Sequence, residues 1–122
     1  MAEQRKHIRV NDSLMISYRL SKETYRTGSR SKDISEGGIC FPSSRSFELG
    51  TNLELEIHML GFKKPIVATA EVVWVQMRSD IKYPFLVGVK FIRINLPDRR
   101  TLHNYISGIS EKGISRDINW IG

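Results

Sequence analysis

Apolar and polar residues alternate along much of the chain, and this two-residue period is typical of β-strands that bury one face. The first stretch has four apolar residues spaced two apart, Leu14, Ile16, Tyr18 and Leu20. Similar strand patterns follow in five further stretches, at 25–34, 38–43, 53–59, 66–77 and 85–92. Turn residues separate them, and the 66–77 strand is expected to bend near 68–70. The pattern predicts an all-β fold, a small six-stranded antiparallel β-barrel.

The two ends of the chain depart from this pattern. Residues 1–12 are polar and predict a loose basic arm, while 13–122 are expected to form the barrel and one C-terminal helix, all within a single domain. The helix is predicted from a proline that suits a first turn and from apolar residues at helical spacing: Pro97, Leu102, Tyr105, Ile106 and Ile109. The apolar tail, 114–122, is expected either to pack on its own barrel or to bind a partner.

Composition narrows the class of protein. The chain has 122 residues and a formal net charge of +6, with a basic excess before position 33 that suits an anionic partner or a solvated surface. No apolar run is long enough to span a membrane, and the first residues lack the apolar core of a signal peptide. The single cysteine, Cys40, forms no internal disulfide, so we expect a cytoplasmic protein.

Catalytic and metal-binding patterns are absent from the sequence. Ser35 lacks the glycines of a nucleophile elbow, and no phosphate loop or dinucleotide fingerprint occurs. The histidines, at positions 7, 58 and 103, match no metal-ligand spacing with Cys40 or the carboxylates. The sequence therefore predicts no enzyme, no metal and no cofactor.

Binding chemistry is concentrated in the stretch from Ser31 to Phe41. Asp33 and Ser35 are two residues apart, so in a strand both side chains leave the same face, roughly 7 Å apart. Gly37 and Gly38 follow, and a glycine pair lets another molecule approach the backbone closely. The alternative is a plain hairpin whose turn is capped by Asp33.

A second pattern lies in the arm, where Arg5 and Arg9 are four residues apart. Their α-carbons would be roughly 13 Å apart in an extended arm and about 5–6 Å apart in a helical one. A guanidinium group binds phosphate, the O6/N7 edge of guanine or a purine face, and a carboxylate accepts guanine's N–H groups. Arginine and aspartate together thus suit a guanine nucleotide, although two arginines alone also fit a solvated tail.

The order Arg5-x-x-x-Arg9 followed by Asp33-x-Ser35-x-x-Gly38 resembles the signature of the PilZ domain family. The strand around Trp74 and the segment from Gly88 to Phe91 before a C-terminal helix resemble the family as well. The resemblance extends over nearly the whole chain. It implies a six-stranded barrel whose arm closes over cyclic di-GMP, a bacterial second messenger with two guanines and two phosphates.

The resemblance also implies a role for each matching residue. The arm would clamp phosphates and guanine faces, Asp33 and Ser35 would hydrogen-bond one guanine, and Gly38 would leave space for it. The complete set of implied ligand-binding residues is Arg5, Lys6, Arg9, Asp33, Ser35, Gly37, Gly38 and Trp74. Gln4, before the first arginine, leaves open whether one or two ligands bind.

The function implied is that of a non-enzymatic bacterial receptor, regulating motility or exopolysaccharide output. We expect a mobile arm that the ligand orders, changing a surface that a partner protein reads. Two alternatives remain. One is a nucleic-acid-binding barrel, which needs Tyr25 and Trp74 on one basic face. The other is a protein-binding module that uses the apolar tail.

Overall fold

The structure, a computed structural model, describes residues 9–10, 12–111 and 118–119, with the backbone alone for 9–10, 109–111 and 118–119. The described part contains nine strands and one helix. In chain order these are β1 (Arg9–Val10), β2 (Met15–Leu20), β3 (Thr27–Arg30), β4 (Asp33–Ile34), β5 (Gly38–Ser43), β6 (Asn52–His58), β7 (Ile66–Met77), β8 (Phe85–Ile94), α1 (Leu96–Glu111) and β9 (Ile118–Asn119).

All nine strands belong to one antiparallel sheet in the order β3-β2-β6-β7-β8-β5-β4-β1-β9. The sheet curls so strongly that β3, at one edge, returns to β5. Ser29 on β3 donates its hydroxyl hydrogen bond to the carbonyl oxygen of Pro42 on β5, at 2.7 Å. The expected fold class, an antiparallel barrel with a C-terminal helix, is confirmed.

The core lies on the concave face of this sheet, as the two-residue period predicted. Ile16, Tyr18, Leu53 and Leu55 are almost completely buried there. The Tyr18 ring packs on Phe41 at a centroid distance of 4.9 Å, and its hydroxyl lies 3.2 Å from the Ser43 hydroxyl. The buried phenol therefore has a hydrogen-bond partner, as a polar group inside a core requires.

The strand count differs from the six predicted, because the second predicted strand is interrupted. Residues 25–34 form β3, which pairs with β2, and β4, which pairs with β5. The chain changes partner at Ser31, which is buried. Its hydroxyl donates to the carbonyl of Asp12 at 2.6 Å and accepts the N–H of Leu14 at 2.9 Å. The backbone stays paired on both sides of this point, because the N–H of Ser31 donates to the carbonyl of Leu14 and the N–H of Lys32 to the carbonyl of Cys40, each at 2.8 Å. The remaining additions are β1 and β9.

The pairing of the long strand β7 with β8 contains two register shifts. At the first, between Thr69 and Ala70, the extra residue is Ile92 of β8, so the bend of β7 expected near 68–70 stays a prediction. The second, between Val72 and Trp74, was not expected. A one-residue bulge reverses the face on which later side chains emerge. Trp74 consequently does not share the core face of Val72.

Helix α1 begins at an asparagine cap and is fixed to the sheet near its start. The Asn95 side-chain oxygen accepts the N–H of Asp98 at 2.8 Å, as an N-cap residue does. Asp98 Oδ2 in turn accepts the N–H of Val67 on β7 at 3.0 Å. Pro97 lies in the first turn, as predicted, and Leu102 and Ile106 are buried. The side chain of Ile109 lies outside the described residues.

Short strands occupy the described parts of both predicted ends. Val10 in β1 pairs with Ile34 of β4 on one side and with Ile118 of β9 on the other. Part of the expected arm is therefore a strand of the sheet. The described residues of the tail pair with that strand, which agrees with the tail packing on its own barrel. Residues 1–8, 11, 112–117 and 120–122 lie outside the described part.

Candidate functional site

The turn between β4 and β5 is built around the Ser35 side chain. Its Oγ accepts the backbone N–H groups of Gly37 at 3.1 Å and Gly38 at 3.2 Å. The N–H of Ser35 donates to the carbonyl of Gly38 at 2.9 Å, which closes the turn. A serine hydroxyl commonly stabilises such turns. Ser35 thus caps the hairpin, and its hydroxyl hydrogen has a 3.5 Å contact with the Gly38 carbonyl.

Gly38 is required by packing against the neighbouring strand β8. A Cβ atom at this position would lie 2.2 Å from the carbonyl oxygen of Val89 and 3.2 Å from the Cα of Lys90. The N–H of Phe91 also donates to the carbonyl of Gly37 at 2.9 Å, holding the turn on β8. The missing side chain therefore faces protein backbone, which differs from the expectation that Gly38 leaves space for a ligand.

Asp33 begins a row of residues that crosses four strands on the convex face of the sheet. Asp33 pairs with Cys40, Cys40 with Gly88, and Gly88 with Trp74. Directly opposed residues of an antiparallel sheet project from the same face. With strands about 4.8 Å apart, Asp33 and Trp74 are separated by roughly 14 Å. The structure thus brings two of the predicted site residues onto one face.

The Trp74 ring lies over Gly88, in the middle of this row. Its Cε2 and Nε1 atoms would be 2.1 and 2.3 Å from a Cβ atom at position 88, so no larger residue fits beneath the ring in this position. The indole is half-buried. The sequence did not indicate that Gly88 supports Trp74.

The acidic end of the row is covered in this structure. Asp33 is only 7% exposed and Cys40 only 3%, although both residues oppose partners on the convex face. The Trp74 end is more open.

The arm reaches this region through its backbone. Because Val10 pairs with Ile34, continuing the antiparallel register by one residue brings Arg9 level with Ser35. Arg9 itself pairs with Asn119 on the other side. Arg5 and Lys6 lie outside the described residues. The topology thus brings at least one arm arginine next to the strand that carries Asp33.

A further contact links the β4–β5 turn to the helix. His103 Nδ1 lies 2.8 Å from Glu36 Oε2, and both side chains are partly exposed. The sequence did not indicate a contact for His103, because only the fold brings this side chain to the turn. Arg99 and Arg100 border the same surface, beside a cavity of about 340 Å³.

A second polar cluster lies at the β2–β3 turn. Glu23 and Arg45 form two parallel hydrogen bonds of 2.8 Å, and the Arg45 guanidinium lies 4.9 Å from the centre of the Phe47 ring. The hydrogen bonds from Arg45 and from the N–H of Leu20 lower the pKa of Glu23 from 4.5 to about 2. The charges of Glu23 and Arg45 are paired with each other, so this cluster serves to stabilise the turn.

The described residues contain neither a metal-binding cluster nor a membrane-spanning helix. No group of three or more His, Cys, Asp and Glu side chains there is arranged to hold a metal ion. No helix in the described part is long and apolar enough to cross a bilayer.

The family follows from the sequence, since a model of the PilZ domain matches residues 3–108. The chain belongs to the PilZ domain family. This assignment agrees with the barrel, the helix and the Asp33-x-Ser35-x-x-Gly38 turn described above. Among curated proteins, no sequence match was found.

Solved PilZ structures share the fold. The Bacillus subtilis inhibitor of motility, MotI/DgrA, superposes with a TM-score of 0.77 at 19% identity, over 92% of this chain and 54% of its own. This chain therefore spans about half the length of MotI/DgrA. The PilZ domain of Escherichia coli YcgR with c-di-GMP superposes with a TM-score of 0.68 at 15% identity, over 91% of this chain and 95% of its own. The K. pneumonia MrkH–c-di-GMP complex superposes with a TM-score of 0.73 at 16% identity, over 93% of this chain and 55% of its own.

Proposed function

We propose that this PilZ domain is a bacterial cytoplasmic receptor for cyclic di-GMP that binds its ligand without catalysis and passes the signal to a partner protein. The observation that carries the proposal is the row in which Asp33, Gly88 and Trp74 share the convex face, beside the strand of Arg9. The YcgR and MrkH structures described above contain c-di-GMP, and this chain shares their family.

The row offers two kinds of contact to a guanine base. The Trp74 indole presents an aromatic face for stacking, which is typically worth about 1–3 kcal/mol per base. Two strand spacings, about 10 Å, separate Gly88 from Asp33, whose carboxylate can accept the N–H groups of the Watson–Crick edge. Ser35 retains a hydroxyl hydrogen for the ligand, because its oxygen accepts backbone N–H groups within the turn.

The arm supplies the positive charge in this proposal. Arg5, Lys6 and Arg9 neutralise the two phosphates, while Gly37 and Gly38 maintain the turn that holds Ser35. Residues 1–12 and 13–122 act as one domain, because β1 is a strand of the barrel's own sheet. Because Asp33 is only 7% exposed, ligand binding in this proposal rearranges the residues around Asp33. This differs from the sequence-based expectation, in which the ligand only orders a mobile arm.

A nucleic-acid ligand is less compatible with the fold. Such a barrel needs Tyr25 and Trp74 together on one face. Tyr25 lies in the turn between β2 and β3, however, and two strands, β2 and β6, separate β3 from the strand of Trp74. We therefore propose no nucleic-acid partner.

Calorimetric titration of the purified chain with cyclic di-GMP, GTP and GMP tests the proposal. We expect binding of cyclic di-GMP alone, and affinities about 10- to 100-fold weaker in Arg9→Ala and Asp33→Asn, since each loses a charge-assisted hydrogen bond. Arg93→Ala, which removes an exposed arginine from β8, is the matched control and should bind normally. Equal affinity for GTP, or unchanged binding in both site variants, would refute the proposal.

A further inference from the structure

A cleft of about 490 Å³ has no lining residue in common with the row that contains Asp33 and Trp74. It forms where the hairpin between β6 and β7 meets the start of β2 and the end of β3. Its lining comes from three segments, residues 13–15, Arg30 and residues 58–62.

Large apolar side chains are exposed around this cleft. Leu60 is 96% exposed, Met15 55% and Phe62 50%. The hairpin that carries two of them has a defined turn, in which the N–H of Phe62 donates to the carbonyl of Met59 at 3.1 Å and Gly61 has a φ of 88°. Clustered exposed apolar side chains of this kind mark interaction sites rather than ordinary surface.

Arg30 is the charged side chain among the described lining residues of the cleft, and His58 lines it as well. The Glu56 carboxylate lies 3.8 Å from His58 Nε2 and is not itself part of the described lining. Arg30 donates to the carbonyl of Ser13 at 3.2 Å, which places its guanidinium at the rim. Lys63 and Lys64 follow directly in the same hairpin and are exposed. The cleft therefore combines an apolar surface with positive charge.

We infer that this cleft binds an acidic segment of a partner protein. One large apolar side chain of the partner enters between Met15, Leu60 and Phe62, and neighbouring carboxylates face Arg30 and the two lysines. Buried apolar anchors of this kind carry most of the energy of protein interfaces. Charge complementarity selects an acidic partner, and the concave shape favours an inserted side chain over a flat lipid surface.

The cleft also shares a support with the proposed ligand site. Ser31 bonds to Asp12 and Leu14, at the base of the arm, and it lies between Arg30 in the cleft and Asp33 in the row. A rearrangement of the arm would therefore move one wall of the cleft. Its use as the output surface of the receptor rests on the proposed function, whereas binding of an acidic segment does not.

Selection of random peptides displayed on phage, against the whole chain, tests this inference. Peptides are counter-selected on the double variant Leu60→Ser with Phe62→Ser, whose changes are exposed. We expect the retained peptides to contain a large apolar residue flanked by Asp or Glu. Retained peptides without carboxylates, or no enrichment over the double variant, would overturn the inference.

The affinity of a selected peptide then locates the site. We expect the double variant to bind at least about 10-fold more weakly, as follows from the loss of one buried apolar side chain. Ile81→Ser, a change at a fully exposed residue of the β7–β8 hairpin, should leave binding unchanged. Equal weakening by Ile81→Ser would contradict a specific cleft. A parallel experiment measures binding of the chain to vesicles of anionic phospholipid. If the wild type binds these vesicles and the double variant does not, the cleft binds a lipid surface and the inference is overturned.

Cyclic di-GMP titration of the same variants separates the two proposals. The double variant should bind cyclic di-GMP as well as the wild type does, because its changes lie outside the row. Failure of the wild type to bind the nucleotide would refute the receptor function alone and leave the peptide result standing. Failure of the peptide selection with normal nucleotide binding would overturn the cleft alone.

Discussion

Two adjacent rows of residues cross the same four strands, and they differ in the chemistry of their side chains. On the concave face Ile34, Ile39, Val89 and Val72 oppose one another, and each is at most 4% exposed. On the convex face the neighbouring row is Asp33, Cys40, Gly88 and Trp74. The first row is uniformly apolar, whereas the second combines a carboxylate, two small residues and an indole.

This difference separates stability from recognition along one set of strands. The concave row gains its stability from excluding water, and any apolar residue of suitable size maintains it. The convex row holds specific chemical groups at fixed spacings, which packing alone does not require. Mutations in the two rows should therefore change different measurements.

The largest effect is expected in the concave row. Ile39→Ala removes a side chain that is 3% exposed and leaves a cavity, so the free energy of unfolding should fall by about 2–5 kcal/mol. Chemical denaturation measures this loss. A change below about 1 kcal/mol would show that the row is not a tightly packed core.

The next effect concerns Gly38, which packs against β8 in the turn that holds Ser35. Gly38→Ala places a Cβ atom against the carbonyl of Val89, and the free energy of unfolding should fall by about 1–3 kcal/mol. Gly108→Ala is the control, because a Cβ atom there has no neighbour within 4 Å. It should be neutral or stabilise helix α1 by up to about 1 kcal/mol. Equal stability in both variants would contradict the packing role of Gly38.

The convex row should respond mainly in ligand affinity. Trp74→Ala removes the stacking surface, so the affinity for cyclic di-GMP should fall about 5- to 100-fold. Gly88→Ala should lower affinity in the same direction, since its methyl group displaces the ring from its position. Calorimetry measures both, and thermal melts should show a smaller loss of stability than in Ile39→Ala. Normal affinity in both variants would remove Trp74 from the site.

The smallest effect is expected outside both rows, at the ion pair of Glu23 and Arg45. The folded state lowers the pKa of Glu23 from 4.5 to about 2, so the carboxylate contributes stability that is fully present above pH 4.5. That contribution is lost as the pH falls through 4.5 toward 2. Glu23→Gln should flatten this part of the stability profile and leave ligand affinity unchanged. An identical acid dependence in the variant would contradict the prediction.

The concave row was predictable from the sequence, and most of the convex row was not. Alternation identified the core residues of β2, β6 and β8, since burial of one face imposes a two-residue period. The shared face of Asp33 and Ser35 stays a prediction, because β4 ends at Ile34 and Ser35 lies in the turn. Trp74 is different, because simple alternation from Val72 would direct it into the core. Only the bulge at Val73 brings it to the convex face.

Other features depend on contacts between residues that are distant in the chain. The break at Ser31 arises from hydrogen bonds to Asp12 and Leu14, and the reason for Gly38 is the backbone of β8. The pairing of Glu36 with His103 likewise requires the helix to lie against the turn. A linear pattern contains no information about such neighbours until the sheet order is known.

A map of backbone amide chemical shifts during titration with cyclic di-GMP locates the bound ligand on the barrel. We predict that the affected residues cluster at Arg9, at positions 33–38 and around Gly88 and Trp74. The amides of the cleft hairpin, 58–62, should change only as a secondary consequence and by less. Shifts confined to the hairpin or to the Glu23–Arg45 cluster, with the convex row unchanged, would contradict the account.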